Sequence, residues 1–238
     1  MAKRVGVILS GCGRRDGSDV AEALLALLII DRAGAEAVCA APDGEQAAVF
    51  DHLAGAAGAG AARNARVEAA RLHPGEVAAL GGLDPRDLDA LLVPGGDGAT
   101  TTLSDYAQKG VLCQVHPDVT RLLRAMLSSR RPLGFIGVSA LLAARVLGPV
   151  AGVRLTLGSK ATIAGKHAAV MGADIRPATV EDLIVDEKAR VFSTPGFLAE
   201  GARLAPVARA VDKLVRAMLS VAKDRAPRPP PPEAAPRA

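Results

Sequence analysis

Residues 131–147 read RPLGFIGVSALLAARVL, and this stretch decides the fold. Residues 132–136 have the continuous apolar character of a short buried strand, and residues 138–142 begin an apolar helix. Gly137 lies between them. A sharp strand-to-helix turn of this kind is where many α/β enzymes place a nucleophile, beside the positive end of the helix dipole. The stretch therefore predicts an α/β sheet with a catalytic type of turn whose central residue has no side chain.

Further apolar runs alternate with helical patterns along the chain. Buried strands are predicted at residues 4–10, 36–40, 90–93 and 189–193. Helices are predicted at residues 19–33, 64–72, 103–107, 119–127 and 166–171, and a last helix has Pro206 in its first turn and an apolar stripe of Val207, Val211, Leu214, Val215 and Met218. Ser18 is the predicted N-cap of the first helix, and residues 54–62 are a predicted surface loop. This alternation predicts an α/β fold with a mainly parallel sheet and helices on both faces.

Length and composition predict one domain and a tail. The 238 residues are 50% apolar and 2% aromatic, which suits closely packed helices on a sheet over residues 1–223. Residues 224–238 include six prolines and predict a disordered Pro-rich tail. The net charge is +4, without a Lys/Arg stripe interleaved with aromatics, so we expect no nucleic-acid partner. The longest apolar run, residues 23–30, is too short to span a bilayer, so we expect no membrane partner.

The cysteines predict a reducing compartment. Cys12, Cys39 and Cys113 are odd in number and widely spaced, which does not suit a disulfide framework. Residues 1–4 lead straight into the first predicted strand, so we expect no targeting segment and a cytoplasmic location. Cys39 is predicted to lie in the core, and Cys113 at the surface or an interface.

Glycine-containing turns follow three of the predicted strands. They are the first glycine loop (residues 11–17), the second glycine loop (residues 94–98) and the elbow (residues 137–139). In parallel sheets the ligand site lies beyond the carboxyl ends of the strands. We therefore expect these three turns to meet at one site.

The chain also resembles the ElbB family, through matches that run in order over residues 4–221. The opening match is Val7-Ile8-Leu9-Ser10-Gly11-Cys12-Gly13, followed by Asp16-Gly17-Ser18. The later matches are Ala41-Pro42-Asp43, Asp51-His52-Leu53, Arg63-Asn64, Val93-Pro94-Gly95-Gly96, Leu103-Ser104, Pro132-Leu133-Gly134-Phe135, Val185-Asp186-Glu187, Thr194-Pro195 and Asp212-Lys213-Leu214. ElbB proteins belong to the PfpI-like superfamily. The resemblance implies a flavodoxin-like three-layer sandwich of the class I glutamine amidotransferase type, a homodimer, a cofactor-free glyoxalase activity and a role around isoprenoid biosynthesis.

Two positions depart from the family pattern. The family elbow reads Gly-Phe-Met-Cys-Ile-Ala-Pro, so its nucleophilic Cys falls on Gly137, and Asp97 stands where the family usually has Phe. By the resemblance, Glu22 matches the site glutamate that hydrogen-bonds the nucleophile and acts as the acid/base. Taken without the resemblance, Glu22 is an ordinary carboxylate near a helix N-terminus.

A thiolate glyoxalase needs a low-pKa thiol, a carboxyl group that moves protons, and N–H donors for the oxyanion. The candidate donors are Gly95, Gly96 and the Val138 N–H, although the glycines are equally explained by turn geometry. Arg14 is a candidate binding residue for an anionic ligand. No metal-ligand spacing, Walker lysine pattern or full dinucleotide fingerprint occurs, so we expect neither a metal nor a cofactor.

Cys12 is the candidate replacement nucleophile. It lies in the first glycine loop near Arg14 and Arg15, and positive neighbours lower a thiol pKa. The alternative interpretation, which we favour, is that Cys12 is a small residue packed beneath the elbow. Ser139 is a weaker candidate, because no His–Asp pair that would activate it is evident.

The sequence and the resemblance are compatible with two functions. One is an ElbB-type glyoxalase acting on small dicarbonyls such as glyoxal, impaired by the loss of the elbow Cys. The other is a catalytically degenerate family member that binds a small carbonyl or anionic metabolite, or a partner protein, in the retained pocket.

Overall fold

The structure is a computed structural model that describes residues 2–58, 60–73 and 76–223. The predicted Pro-rich tail at residues 224–238 lies outside the described residues. No helix in the described ranges is both long enough and apolar enough to cross a membrane.

A seven-stranded sheet forms the middle layer of the described chain. Its strands are β1 (Arg4–Ile8), β2 (Glu36–Ala41), β5 (Ala78–Ala79), β6 (Ala90–Val93), β7 (Leu133–Ile136), β10 (Ile184–Asp186) and β11 (Val191–Thr194). The order across the sheet is β10-β11-β7-β6-β1-β2-β5, and every pair is parallel except β10 with β11. Two small separate sheets pair β3 (Phe50–Asp51) with β4 (Ala56–Ala57) and β8 (Arg154–Leu155) with β9 (Asp174–Ile175).

Helices cover both faces of the sheet. They are α1 (Val20–Arg32), α2 (Ala65–Ala69), α3 (Gly98–Thr101), α4 (Tyr106–Lys109), α5 (Pro117–Ser128), α6 (Ala140–Ala151), α7 (Ile163–Val170) and α8 (Leu204–Val221). The core residues of α1 and α8 form one cluster with Ala90 and Leu92 of β6, whereas those of α5 and α6 form a second cluster with Leu91 and Val93. Alternate residues of one strand thus face opposite cores, which is why the central strands are apolar throughout. The predicted flavodoxin-like three-layer sandwich is confirmed.

The N-cap prediction is wrong by one residue. Asp19, not Ser18, caps α1, because its Oδ1 accepts the N–H groups of Ala21 and Glu22 at 3.0 and 3.1 Å. The Ser18 hydroxyl instead accepts the Ser10 N–H at 3.0 Å, which fastens the first glycine loop to the end of β1. Both residue types cap helices well, so their order in the sequence did not decide between them.

Other differences arise in short elements. The predicted loop at residues 54–62 contains β4, which pairs with β3. The predicted helix at residues 103–107 is replaced by α3 and α4 on either side of Leu103. The elbow is a turn of 3₁₀ helix before α6 begins at Ala140. The antiparallel edge strand β10 was not predicted.

Candidate active site

The two glycine loops are joined by main-chain hydrogen bonds at the carboxyl edge of the sheet. The Asp19 N–H donates to Gly95 O at 2.8 Å, the Asp97 N–H to Arg14 O at 2.7 Å, and the Gly98 N–H to Gly17 O at 3.0 Å. These bonds place the N-terminus of α1 against the end of β6. The expectation that the turns after β1, β6 and β7 meet at one site agrees with this geometry.

Glu22 lies at the centre of these turns, in the first turn of α1. Its side chain is buried, with a residue exposure of 2%. Oε2 accepts the Gly95 N–H at 2.8 Å, and Oε1 accepts the Phe197 N–H at 2.9 Å. A Cβ added at Gly95 or at Gly196 would overlap these carboxyl oxygens. Glycines at both positions therefore let the main chain approach the carboxyl group from two sides.

Burial raises the pKa of the Glu22 carboxyl from 4.5 to about 7, and the negative charge of Asp19 acts in the same direction. The N–H donors of Phe197 and Gly95, and the more distant Arg14, act against this shift. A carboxyl with such a pKa is present in both protonation states near neutral pH. Glu22 is therefore suited to give or take a proton, whatever reaction the site performs.

Gly137 faces the Glu22 carboxyl. Its φ is 61°, in the left-handed region, and it is buried at the end of β7. A Cβ built on it would lie 3.2 Å from Oε1 and 3.3 Å from Oε2 of Glu22, and 3.6 Å from Pro195 O. A side chain at residue 137 would thus be in direct contact with the carboxyl group. The position has the left-handed backbone of a nucleophile elbow, which would be strained for a residue with a Cβ, but it carries a hydrogen atom in place of a side chain.

The candidate oxyanion donors lie around this position. The Gly95 N–H is already engaged by Glu22, so it faces the carboxyl group rather than open space. Gly96 is required by packing, because a Cβ there would overlap Gly17 O and the Asp19 N. Val138 is partly buried against the core. The oxyanion roles of these three residues remain predictions.

Ser139 is occupied by the main chain. It is fully buried, and its hydroxyl lies 2.7 Å from Val93 O and 2.8 Å from Ile136 O while accepting the Ile136 N–H. These bonds tie the elbow to the ends of β6 and β7. The hydroxyl therefore has a structural role, in line with the prediction that Ser139 is a weak candidate for a nucleophile.

The expected activation of Cys12 by arginines is wrong. Burial raises the pKa of the Cys12 thiol, and Glu68 and Asp16 raise it further, against a lowering by Arg71. Arg14 and Arg15 each lie beside an acidic side chain of their own. The Arg14 Nε lies 3.9 Å from Asp19 Oδ2, and the Arg15 Nε lies 3.4 Å from Asp97 Oδ2. Cys12 thus has the environment of a packed thiol rather than of a reactive thiolate.

A surface cavity of about 490 Å³ opens beside the first glycine loop. Its lining residues are Cys12, Gly13, Arg14, Asp19, Val20, Ala21, His52 and Phe197. The Arg14 guanidinium lies 5.7 Å from the centroid of the Phe197 ring, within the range of a cation–π contact. The Phe197 main chain binds Glu22 while its ring borders this cavity, so one residue connects the carboxyl group with the open space.

Of the predictions for the two remaining cysteines, one is correct and one is wrong. Cys39 is buried in the core of β2 as predicted, and burial raises the pKa of its thiol to about 12. Cys113 is not at the surface, because it is 2% exposed and belongs to the cluster beneath α5 and α6. In the described ranges no three His, Cys, Asp or Glu side chains are grouped so as to hold a metal ion.

Sequence reasoning missed the segment that follows β11. Residues 195–197 supply the Phe197 N–H to Glu22 and the glycine that makes room for it. The signal was present, since Thr194-Pro195 ends a predicted strand at the same edge of the sheet. The sequence predicts that this strand ends at residue 193 and does not show that it pairs with β7. Residues 195–197 are therefore absent from the predicted site.

Comparison with known proteins gives the chain its relatives. It is 37% identical over 209 residues to the glutamine amidotransferase-like class 1 domain-containing protein 3, mitochondrial, of Homo sapiens, a match covering 84% of this chain and 77% of that protein. It is 36% identical over 205 residues to the ES1 protein homolog, mitochondrial, of Rattus norvegicus, covering 83% and 76%. No protein-family model matches the chain.

A solved structure has the same architecture. The isoprenoid biosynthesis protein with amidotransferase-like domain from Ehrlichia chaffeensis superposes with a TM-score of 0.84 at 26% identity, covering 91% of this chain and 99% of that one. The names of the two curated relatives overturn the expected cytoplasmic location, because both are described as mitochondrial.

The order of motifs, the three-layer fold and these similarities agree. The chain belongs to the ElbB-like family of glutamine amidotransferase-like class 1 domain proteins, which includes the ES1 homologues.

Proposed function

We propose that this chain is a glyoxalase-type protein that has lost the thiol step: it binds small carbonyl compounds beside Glu22 but does not form the covalent adduct. The observation that carries the proposal is the contact at the elbow. The Cβ position of Gly137 lies 3.2 and 3.3 Å from the two carboxyl oxygens of Glu22, and no sulfur is attached there.

The chemistry defines what is missing. In a thiolate glyoxalase the sulfur adds to one aldehyde carbon of glyoxal, and the hydrogen on that carbon then moves as a proton to the neighbouring carbon. The resulting thioester is cleaved by water to a 2-hydroxy acid and the free thiol. Glu22, with a pKa of about 7, suits the proton transfer, whereas nothing at residue 137 can form the carbon–sulfur bond.

Cys12 does not supply a convincing replacement. Its thiol pKa is raised by burial and by Glu68, so only a small fraction is thiolate near neutral pH. We therefore favour a binding protein with a retained acid/base group over an enzyme with a relocated nucleophile.

The test measures glyoxal consumption by purified wild type, Gly137→Cys and Gly137→Ser. We expect turnover only in Gly137→Cys, since Ser adds a similar volume without a thiol and serves as the matched control. Adding Glu22→Gln to Gly137→Cys should lower the rate by about 10²-fold or more, the usual effect of losing an acid/base group. Wild-type turnover that disappears in Cys12→Ser would instead assign the reaction to Cys12. Wild-type turnover unchanged in Cys12→Ser would contradict every thiol mechanism considered for this chain.

A further inference from the structure

The cavity beside the first glycine loop contains a cationic side chain to which the proposed carbonyl chemistry assigns no role. Arg14 lines it, with a side chain that is 58% exposed. The Arg14 Nε is 3.9 Å from Asp19 Oδ2, which is beyond hydrogen-bond distance, while the Phe197 ring lies beneath the guanidinium at 5.7 Å. Arg14 therefore lines the cavity and makes no hydrogen bond to Asp19 through its Nε.

His52 lines the same cavity and has a buried carboxyl group behind it. Its Nε2 lies 3.8 Å from Asp16 Oδ1. Asp16 is fully buried, and its Oδ2 accepts the Phe50 N–H at 2.8 Å. Its Oδ1 has no hydrogen-bond partner among the residues that the structure describes. A buried carboxylate oxygen without a donor is costly, and the His52 ring nitrogen is the side-chain nitrogen that lies beside it.

Charges of both signs surround His52. The Arg15 N–H donates to His52 Nε2 at 3.4 Å, a long and weak bond. Asp19 Oδ1 caps α1 while its Oδ2 lies 3.9 Å from the Arg14 Nε, and Asp51 accepts the N–H groups of Leu53 and Ala54. The titratable and charged groups that face His52 are Asp16, Asp51, Arg15 and Arg63 from the elements packed beside it, and Arg14, Asp19 and Cys12 across the cavity.

We propose that this cavity selects carbonyl compounds that carry a carboxylate, which Arg14 binds as an ion pair beside the imidazole of His52. A guanidinium fixed over an aromatic ring presents parallel N–H donors that match a planar carboxylate. The inference rests on the proposed carbonyl-binding function, because it assigns the substrate class of the cavity that Phe197 connects to Glu22.

The test compares glyoxylate with glyoxal by isothermal titration calorimetry on the full chain. The two probes are matched in size and differ in one carboxylate in place of an aldehyde. We expect wild type to bind glyoxylate at least about tenfold more tightly than glyoxal, the contribution of one charge-assisted hydrogen bond. Arg14→Gln should lose this preference. Arg15→Gln is the matched control: it changes the next residue of the loop, equally 58% exposed, which pairs with Asp97 and does not line the cavity, and it should keep the preference.

His52 is tested by substitution at a single pH. His52→Gln should weaken the binding of glyoxylate and leave that of glyoxal unchanged, because it removes a ring that lines the cavity. Asp16→Asn keeps the imidazole and removes the charge behind it, and should have a smaller effect on glyoxylate binding.

The outcomes separate the two proposals. Equal affinity for both probes overturns the carboxylate selectivity and leaves the proposed function standing. Binding of neither probe overturns both. Equal loss in Arg14→Gln and Arg15→Gln excludes the cavity as the anion site, and a His52→Gln protein that keeps the wild-type affinity for glyoxylate removes His52 from it.

Discussion

At Gly137 the thiol chemistry requires a side chain, whereas the left-handed backbone favours glycine. A nucleophile there would adopt φ near 61° and press its Cβ against the Glu22 carboxyl at 3.2 Å. Left-handed backbone is unfavourable for residues with a Cβ, so a Cys at this position would carry strain that Gly137 does not. Loss of the thiol is therefore expected to be neutral or stabilising for the fold.

Gly137→Ala tests this expectation without introducing new chemistry. We expect the free energy of unfolding to fall by about 1–3 kcal/mol, from backbone strain and the close contact with Glu22. Gly82→Ala is the control, because that glycine has no neighbour within 4 Å of its added Cβ and no positive φ. It should leave stability unchanged or raise it by up to about 1 kcal/mol. Urea denaturation measures both, and a Gly137→Ala protein as stable as wild type would contradict the strain argument.

Glu22 should make stability depend on pH. Its folded-state pKa of about 7 lies above the usual value of 4.5, so the folded chain holds this proton more tightly than the unfolded chain. The stabilising contribution is complete below the unfolded pKa and is lost as the pH rises through the folded pKa, by up to about 3 kcal/mol.

The measurement is urea denaturation of wild type and Glu22→Gln between about pH 5 and about pH 8. The stability difference between the two proteins should shrink over this range, because Gln cannot ionise. Glu187→Gln, at an exposed glutamate, should follow wild type throughout. A constant difference would show that Glu22 does not titrate in this range.

At the scale of elements, α1 begins where the site needs its first turn. The Asp19 cap fixes the start of the helix, the Asp19 N–H binds Gly95 O, and Glu22 follows on the inner side of the same turn. Capping and placement of the acid/base group are thus one structural device. The sequence predicts the helix, and the resemblance implies the acid/base role of Glu22, which stays a prediction; the predicted cap, Ser18, is wrong by one residue.

Asp19→Ala should lower the free energy of unfolding by about 1 kcal/mol, the usual effect of removing an N-cap side chain. Asp19→Asn keeps an acceptor for the Ala21 and Glu22 N–H groups and should restore most of this loss. Thermal unfolding of both variants beside wild type measures the effect. If Asn were as damaging as Ala, the negative charge rather than the hydrogen bonds would be the stabilising feature.

Long elements were predictable and short ones were not, for a physical reason. The apolar run of β6 is buried on both faces, and the stripe of α8 from Val207 to Met218 is buried as the periodicity predicted. Gly134 interrupts the apolar run of β7 because α8 approaches there, with Met218 and Leu214 at the position of its missing Cβ. The strands β8 and β9 have two residues each, too few for a periodic pattern, and exist because their partners are present.

At the scale of the whole molecule, the site combines predictable and unpredictable parts. Family motifs and strand-end reasoning brought Glu22, Gly95 and Gly137 to one edge. The Phe197 N–H that holds Glu22 comes from 175 residues further along the chain, and only the pairing of β11 with β7 brings it there. The side-chain directions of Arg14 and Arg15 depend on Asp19, Asp97 and two phenylalanine rings, which sequence proximity to Cys12 did not reveal.

The three thiols of the molecule give a last prediction that bears on the vacant elbow. Burial raises the pKa of each thiol, and Cys39 and Cys113 are also shut away from solvent, each 2% exposed. Iodoacetamide near neutral pH should therefore modify only Cys12 in the folded protein, more slowly than free cysteine, and all three thiols in urea. Mass spectrometry of the labelled peptides measures the three rates, with Cys12→Ser as the control for the folded state. Labelling of Cys12 faster than free cysteine would reveal a thiolate that the surroundings of this side chain disfavour, and the cavity beside the first glycine loop would then contain a nucleophile.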